Sequence, residues 1–236
     1  MSTDMKTIDD ALAAAVDAAT AAGASDAEAS YVADETQFIR FASSRFTQVG
    51  STEDVAVRIR VIADGRLGSQ MSASLDREVL AETARAAVAV ARLSPELDVD
   101  LAFAGEGTTA AAEPAPIASS ATAAGAPSLL AEAFAPHRDR GVLFAGSLKS
   151  HLIHRAVRTH RGCARQFATS SSDAQVIGLA GGSSGYAGSL VPGDQPLDLA
   201  AITAAAADRA VRGRDPVDLE PGRYDVVLAP PALAEL

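Results

Sequence analysis

Hydrophobic and polar positions alternate most regularly from Asp54 to Ser72, DVAVRIRVIADGRLGSQMS, where Val55, Val57, Ile59 and Val61 recur at every second residue with Arg58 and Arg60 between them. In a strand this spacing puts the aliphatic side chains on one face and the guanidinium groups on the other, so one face is core and the other is wet. Asp64-Gly65 tolerates the positive φ of a tight turn, and Leu67, Ser69 and Met71 then resume the alternation, which predicts a hairpin. A three-residue loop sets Ala63, Val61 and Ile59 opposite Leu67, Ser69 and Met71, whereas a two-residue loop sets Val61 opposite Gly68. The first register is preferred.

Helical spacing flanks this block. Thr7-Ile8-Asp9-Asp10 has the spacing of an N-cap, and Ile8, Ala11, Leu12, Ala15, Val16 and Ala19 form one apolar stripe that runs to Gly23. Glu28 to Ala33 and Gln37 to Val49 read as strands, broken at Asp34-Glu35 and Ser43-Ser44, and with the hairpin they make a meander. Ser74 or Asp76 caps a second helix with Leu80, Ala84, Ala87, Val88 and Ala91 on one face, ending near Pro95.

From Ala102 to Pro127 the periodicity is lost among Ala, Gly, Thr, Ser and Pro, and Pro114 and Pro116 force extended backbone. The segment reads as a linker. Beyond it, Ser128 to Ala135 is a short helix, and Val142 to Leu148 and Leu152 to His160 are strands. Ala174 to Ala180 and Tyr186 to Val191 form a hairpin turning through Gly181-Gly182-Ser183-Ser184, and Asp198 caps a helix over Leu199 to Val211. Leu75-Asp76, Leu80 and Ala84 align with Leu197-Asp198, Ile202 and Ala206 at constant offset, which supports an internal duplication. The expected organisation is α+β: two related small domains of mixed sheet and helices over residues 1–97 and 127–218, joined by a linker over 98–126. Residues 219–236 then open a third domain, with Tyr224 to Ala229 as its first strand.

The 236 residues are 48% hydrophobic and 21% charged, enough for a core built from Ala and aliphatic side chains, since aromatics are 4%. A net charge of -10 disfavours a general phosphate-binding surface and hence nucleic acid. Cys163 is the single cysteine, so no internal disulfide forms. No apolar run reaches the roughly 18 residues needed to span a bilayer, and MSTDMKTIDD lacks a basic and apolar leader pattern. These features set a cytoplasmic expectation with no membrane partner.

Several blocks, in this order, resemble the TldD/PmbA family, historically called modulators of DNA gyrase and understood as zinc-dependent peptidases. They are VAVRIRVIADGRLGS with the following LDREVLAETARAAVAVA, then RTHRGCARQF, then LEPGRYDVVLAPPALAEL. The resemblance covers nearly the whole chain. It implies that Pro221 to Ala229 opens the family's metal-carrying C-terminal domain. It further implies an extended, unfolded peptide as substrate, and a homologous family subunit or self-association as partner. In the catalytic branch a His-Glu-x-x-x-His helix supplies zinc ligands and base. Here His137, His151, His154 and His160 are followed by Arg138, Leu152, Arg155 and Arg161, so the motif is absent, and the PPALAEL ending is more similar to the branch that lacks it. The implied role is scaffold and substrate cavity, with no catalytic or metal-ligating residue and no cofactor in this chain.

The residues from His137 to Arg165 hold all four histidines and seven of the twenty basic residues against one acid, Asp139. The alternative to the peptidase reading is therefore a binding module for an anionic partner through this segment. The solvated-strand reading is preferred, because His151 and His154 fall on opposite faces of a strand. Gly181-Gly182-Ser183-Ser184-Gly185 has the spacing of a nucleophile elbow, but strand follows it and every histidine precedes Ser183, so a hairpin turn is expected. Cys163 between Arg161 and Arg165 reads as a small buried hydrophobe.

Overall fold

The computed structural model describes residues 4–106 and 125–233. Its first half runs α1 (Met5–Ala21), β1 (Asp26–Ala42), β2 (Arg45–Ala63), β3 (Arg66–Ser72) and α2 (Arg77–Leu93). The second runs α3 (Ala126–Phe134), a 3₁₀ turn (Ala135–His137), β4 (Leu143–Thr159), β5 (Ala164–Ala180), β6 (Ser183–Pro192) and α4 (Leu199–Arg212), with a last turn α5 (Pro230–Leu233). The fold is α+β, and both halves follow the order helix, three antiparallel strands, helix. The halves share one six-stranded antiparallel sheet of order β3-β2-β1-β4-β5-β6, joined by β1 against β4.

Alternation along the strands places α1 to α4 on one side. In β1 the odd residues Ala27, Ala29, Tyr31 and Ala33 enter the core under α1 and α2, while Ile39 and Phe41 enter a second core with α3 and α4. In β4 Phe144, Leu148 and Ala156 lie on the same side. At about 3.3 Å per residue the 17-residue β1 spans ~56 Å, whereas the 17-residue α1 spans ~25 Å at about 1.5 Å per residue. One helix pair therefore covers each end of the sheet and leaves a gap at its middle. Among the described residues α1 to α4 leave the opposite side uncovered.

The first core is mostly alanine and aliphatic, as composition requires; the second stacks Phe134 on Phe144 with ring centres 4.8 Å apart and sets Phe41 5.3 Å from Phe134. The buried residues of α1 are Ile8, Ala11, Leu12, Ala15, Val16 and Ala19, and those of α2 are Leu80, Ala84, Ala87, Val88 and Ala91, the two stripes that periodicity predicts. Asp76 is the cap of α2, accepting from the Glu78 and Val79 amides, and Asp198 caps α4 through the Ala201 amide.

Four local expectations change. The β2–β3 hairpin has the two-residue loop, with Val61 opposite Gly68 and Ile62 opposite Leu67. Asp64 and Gly65 both take positive φ, 52° and 69°, and a Cβ on Gly68 would lie 2.2 Å from the Ala87 carbonyl oxygen of α2. Helix packing therefore fixes the register. Asp34-Glu35 does not break β1, because it meets Asp54 and Glu53 of β2 inside the ladder, and the two strands expected over Val142–Leu148 and Leu152–His160 merge into the single strand β4, Leu143–Thr159. The first helix begins at Met5, a turn before the expected Thr7 cap, with the Asp4 carbonyl accepting from the Ile8 amide. Tyr224–Ala229 forms no strand: none of the strand pairings includes it, and Val226 and Val227 are exposed.

Most of the expected linker, including Pro114 and Pro116, lies outside the described residues. Its start is docked: Phe103 is buried, its amide donates to Asp26 Oδ2 at 2.9 Å, and Ala104 accepts from Thr159 Oγ1 at 2.7 Å.

Candidate functional site

The arginines that alternate with the β2 aliphatics emerge on the helix-free side of the sheet. Cross-strand register there builds one row of Met71, Arg58, Ser30, Val157 and Arg165 across five strands, and beside it a row of Ala56, Val32, Arg155 and Phe167. These two rows line a cavity of about 690 Å³. Val32, Val157, Met71 and Phe167 make it apolar, and Arg58, Arg155 and Arg165 set its positive potential. One row beyond, Asp34 faces Asp54, so the surface changes sign along the strands. At the other end Arg60 pairs with Glu28 at 2.7 and 2.9 Å and lies over the Phe103 ring, which closes that side.

Past the acidic row, His151 sits among polar partners. Its Nε2 is 3.1 Å from Asp173 Oδ2 and its Nδ1 2.9 Å from Thr36 Oγ1, while the Thr36 hydroxyl donates to Asp34 Oδ1 at 2.9 Å. Hydroxyl, imidazole and carboxylate are in the order of a nucleophilic site. The cluster lies in the middle of the β1–β4–β5 ladder, however, where backbone N–H groups are committed between strands and none is grouped to hold an oxyanion. It braces the sheet.

The histidines do not converge. His137 is buried on the 3₁₀ turn edge-on to Phe144, ring centres 5.6 Å apart, and its pKa is pushed down first by burial and then by the neighbouring Arg140 cation. His151 is on the helix-free side and His154 on the helix side, as strand spacing requires. His160 lies past β4, with Nδ1 3.4 Å from Thr20 Oγ1. Among the described residues no three His, Cys, Asp or Glu side chains gather as a metal site. The basic segment is likewise divided: Arg155 and Arg165 line the cavity, while Arg158 turns to the helix side and binds Asp9. Arg140 pairs with Asp208. Cys163 is buried, and Gly181-Gly182 is the two-residue turn between β5 and β6, with Ser183 starting β6. Arg58 was visible in the sequence only as a wet-face residue. Its place beside Arg165 depends on the β2-β1-β4-β5 order, which no local pattern encodes.

This α+β architecture, a long antiparallel sheet with paired helices on one side, is shared with solved structures. TldE from Thermococcus kodakarensis matches with a TM-score of 0.66 at 16% identity, over 85% of this chain and 47% of that one. Crystal structures described as a putative modulator of DNA gyrase match from Bacteroides thetaiotaomicron VPI-5482 (TM-score 0.71, 16% identity, 90% of this chain and 51% of that one) and from Thermotoga maritima MSB8 (TM-score 0.60, 18% identity, 79% and 44%). Residues 27–91 match the family model described as PmbA/TldA metallopeptidase domain 1. Residues 27–91 are thus similar to the first domain of that family, and the fold over most of the chain is the one these solved structures share. The chain spans about half the length of the solved structures it matches. None of the curated proteins matches it. Among the described residues, no helix is long and apolar enough to cross a membrane.

Proposed function

We propose that this chain supplies the substrate-binding sheet of a TldD/PmbA-type peptidase system acting on unfolded peptides, and that it holds no catalytic zinc itself. The observation that carries the reading is the helix-free cavity, in which Arg58, Arg155 and Arg165 surround Val32, Val157, Met71 and Phe167. An extended peptide laid across it gains apolar contact from alternate side chains and charge contact for its carboxylates. The edge strands β3 and β6 are the places where it adds by backbone pairing. A homologous subunit or a second copy completes the cavity, and the zinc comes from outside these residues, since no histidine in the sequence is followed by glutamate.

The test uses the full gene product. A benzophenone side chain at Met71 is expected to crosslink an unstructured reporter peptide, with competition by unlabelled peptide, and Arg58→Glu with Arg155→Glu is expected to weaken binding at least fivefold. Equal crosslinking from a probe at Val79 on α2 overturns the site. Zinc content of the present chain after dialysis is expected far below one equivalent; near-stoichiometric zinc with chelator-sensitive peptide hydrolysis overturns the non-catalytic part.

The convergence of three arginines also favours a second reading, a stand-alone module for an anionic partner. Binding of an acidic peptide that falls steeply with salt, is abolished by neutralising Arg58, Arg155 and Arg165, and ignores neutral extended peptides separates it from the first. Arg158 is not part of that test, because its partner is Asp9.

A further inference from the structure

The helix-free cavity carries charge on one diagonal and apolar groups on the other. Its floor on β2, β1 and β4 is a block of two rows, Arg58, Ser30 and Val157 in one, and Ala56, Val32 and Arg155 in the other. Arg58 and Arg155 therefore stand at opposite corners, Ala56 and Val157 take the other two, and Val32 lies with Ser30 along the middle. Two strand spacings of about 4.8 Å and two residue rises of about 3.4 Å put the two arginine Cα atoms about 12 Å apart. Arg60 and Arg158, on the same two strands, are paired with Glu28 and Asp9. Arg58 and Arg155, both exposed, form no ion pair among the described residues, and Arg58 Nη2 lies 3.8 Å from the Met71 sulfur. In a chain with 30 acidic residues, two guanidinium groups kept unpaired over an apolar floor are open to the anionic groups of a ligand.

We infer that the cavity selects extended peptides in which two acidic side chains stand four residues apart with an apolar side chain midway, an inference that rests on the reading of this cavity as a peptide site. An extended chain turns alternate side chains to one face, so residues i and i+4 share a face about 14 Å apart, and residues i and i+2 about 7 Å apart. The first separation matches the arginine diagonal to within about 2 Å, a difference that rotamer choice in Arg and Glu absorbs. The second falls about 5 Å short. The residue at i+2 then lies over Val32, at the centre of the block. A helical peptide sets i and i+4 only about 6 Å apart, so the same diagonal rejects a folded helix. Long-range attraction reads total charge and not its spacing, so the selection comes from the two contacts themselves.

Three acetylated and amidated peptides test this by calorimetric titration of the full gene product: Glu-Thr-Leu-Thr-Glu, its isomer Thr-Glu-Leu-Glu-Thr, and the neutral Gln-Thr-Leu-Thr-Gln. Threonine favours extended backbone, and the two isomers carry the same charge. The first isomer is expected to bind at least fivefold tighter than the second. Arg58→Gln and Arg155→Gln, at exposed positions, are each expected to bring the isomers within twofold of one another and to leave affinity for the neutral peptide within twofold of the parent's. Arg155→Glu reverses one corner, and it is expected to bind either Glu-Thr-Leu-Thr-Lys or Lys-Thr-Leu-Thr-Glu more tightly than Glu-Thr-Leu-Thr-Glu. Equal affinity of the parent chain for the two isomers overturns the inference, and binding of the neutral peptide would then leave the peptide reading standing. An isomer preference that survives both glutamine substitutions also overturns it, because the diagonal is then not what reads the spacing. If none of the three peptides binds, the inference falls, and the reporter crosslink at Met71 decides separately whether the peptide reading falls with it.

Discussion

Arg158 holds both carboxylate oxygens of Asp9, Nε to Oδ1 at 2.7 Å and Nη2 to Oδ2 at 2.5 Å. This ties α1, from the first half of the chain, to β4 of the second. The fork is two-pointed and the side chains are 34% and 23% exposed, so solvent screens it only in part. Asp9→Asn is expected to lower unfolding stability by about 1–2 kcal/mol in urea titration, a charged hydrogen bond discounted for exposure. Asp10→Asn, which breaks a solvent-exposed pair with Lys6, is expected to leave it unchanged within error. Equal effects of the two substitutions would show that the bridge between the halves contributes nothing particular.

Two glycines separate crowding from backbone strain. At Gly68 a methyl group would sit 2.2 Å from the Ala87 carbonyl oxygen and 2.6 Å from the Ala91 amide, so α2 must lift off β3. Gly68→Ala is expected to cost about 2–3 kcal/mol, as overpacking does. At Gly182, φ is +86° and nothing lies within 4 Å, so Gly182→Ala pays only the left-handed conformation, about 1–2 kcal/mol. Denaturant midpoints that rank the two the other way would mean that α2 yields more easily than its alanine contacts imply.

The β1–β2 turn has room for improvement. Ser43 and Ser44 both take left-handed φ, 49° and 56°, the conformation that Asn and Gly adopt at least cost. Ser43→Asn is expected to stabilise by about 0.5–1 kcal/mol. Ser44→Gly is expected to gain nothing, because the Ser44 hydroxyl accepts from the Phe144 amide at 3.0 Å and that bond would be lost. Thermal melts of the two variants distinguish a conformational gain from a lost tertiary contact.

The buried faces of α1 and α2 are legible in the sequence because each helix is covered on one side only, which imposes an unbroken stripe. Strand continuity is not. Asp34-Glu35 looks like a break because its polarity matches a turn, yet it lies where neither helix pair reaches, and residues there need not be apolar. The hairpin register is hidden for another reason: the loop sequence permits either length, and the close approach of Gly68 to α2 selects one. The arginine cavity draws on residues as distant as Arg58 and Arg165, and it exists only once β1 and β4 pair.

His137 makes stability depend on pH with a defined sign. Its pKa in the folded chain lies below the ordinary 6.5, because burial strips water from the cation and Arg140 repels it, with Asp208 offsetting part of this. The unfolded chain therefore binds the proton more tightly, and stability rises with pH across the window between the folded value and 6.5. The neutral ring's contribution is complete above that window and is lost as pH falls through it. His137→Phe keeps an aromatic edge against Phe144 and removes the titration, so its Tm is expected to fall less than the parent's on going from about pH 7.5 to about pH 5. Arg140→Met removes the repulsion and is expected to shrink the same loss while leaving the ring in place. Parallel Tm profiles for all three chains would show that the proton on His137 is bound equally in the folded and unfolded states, and that neither burial nor Arg140 governs it.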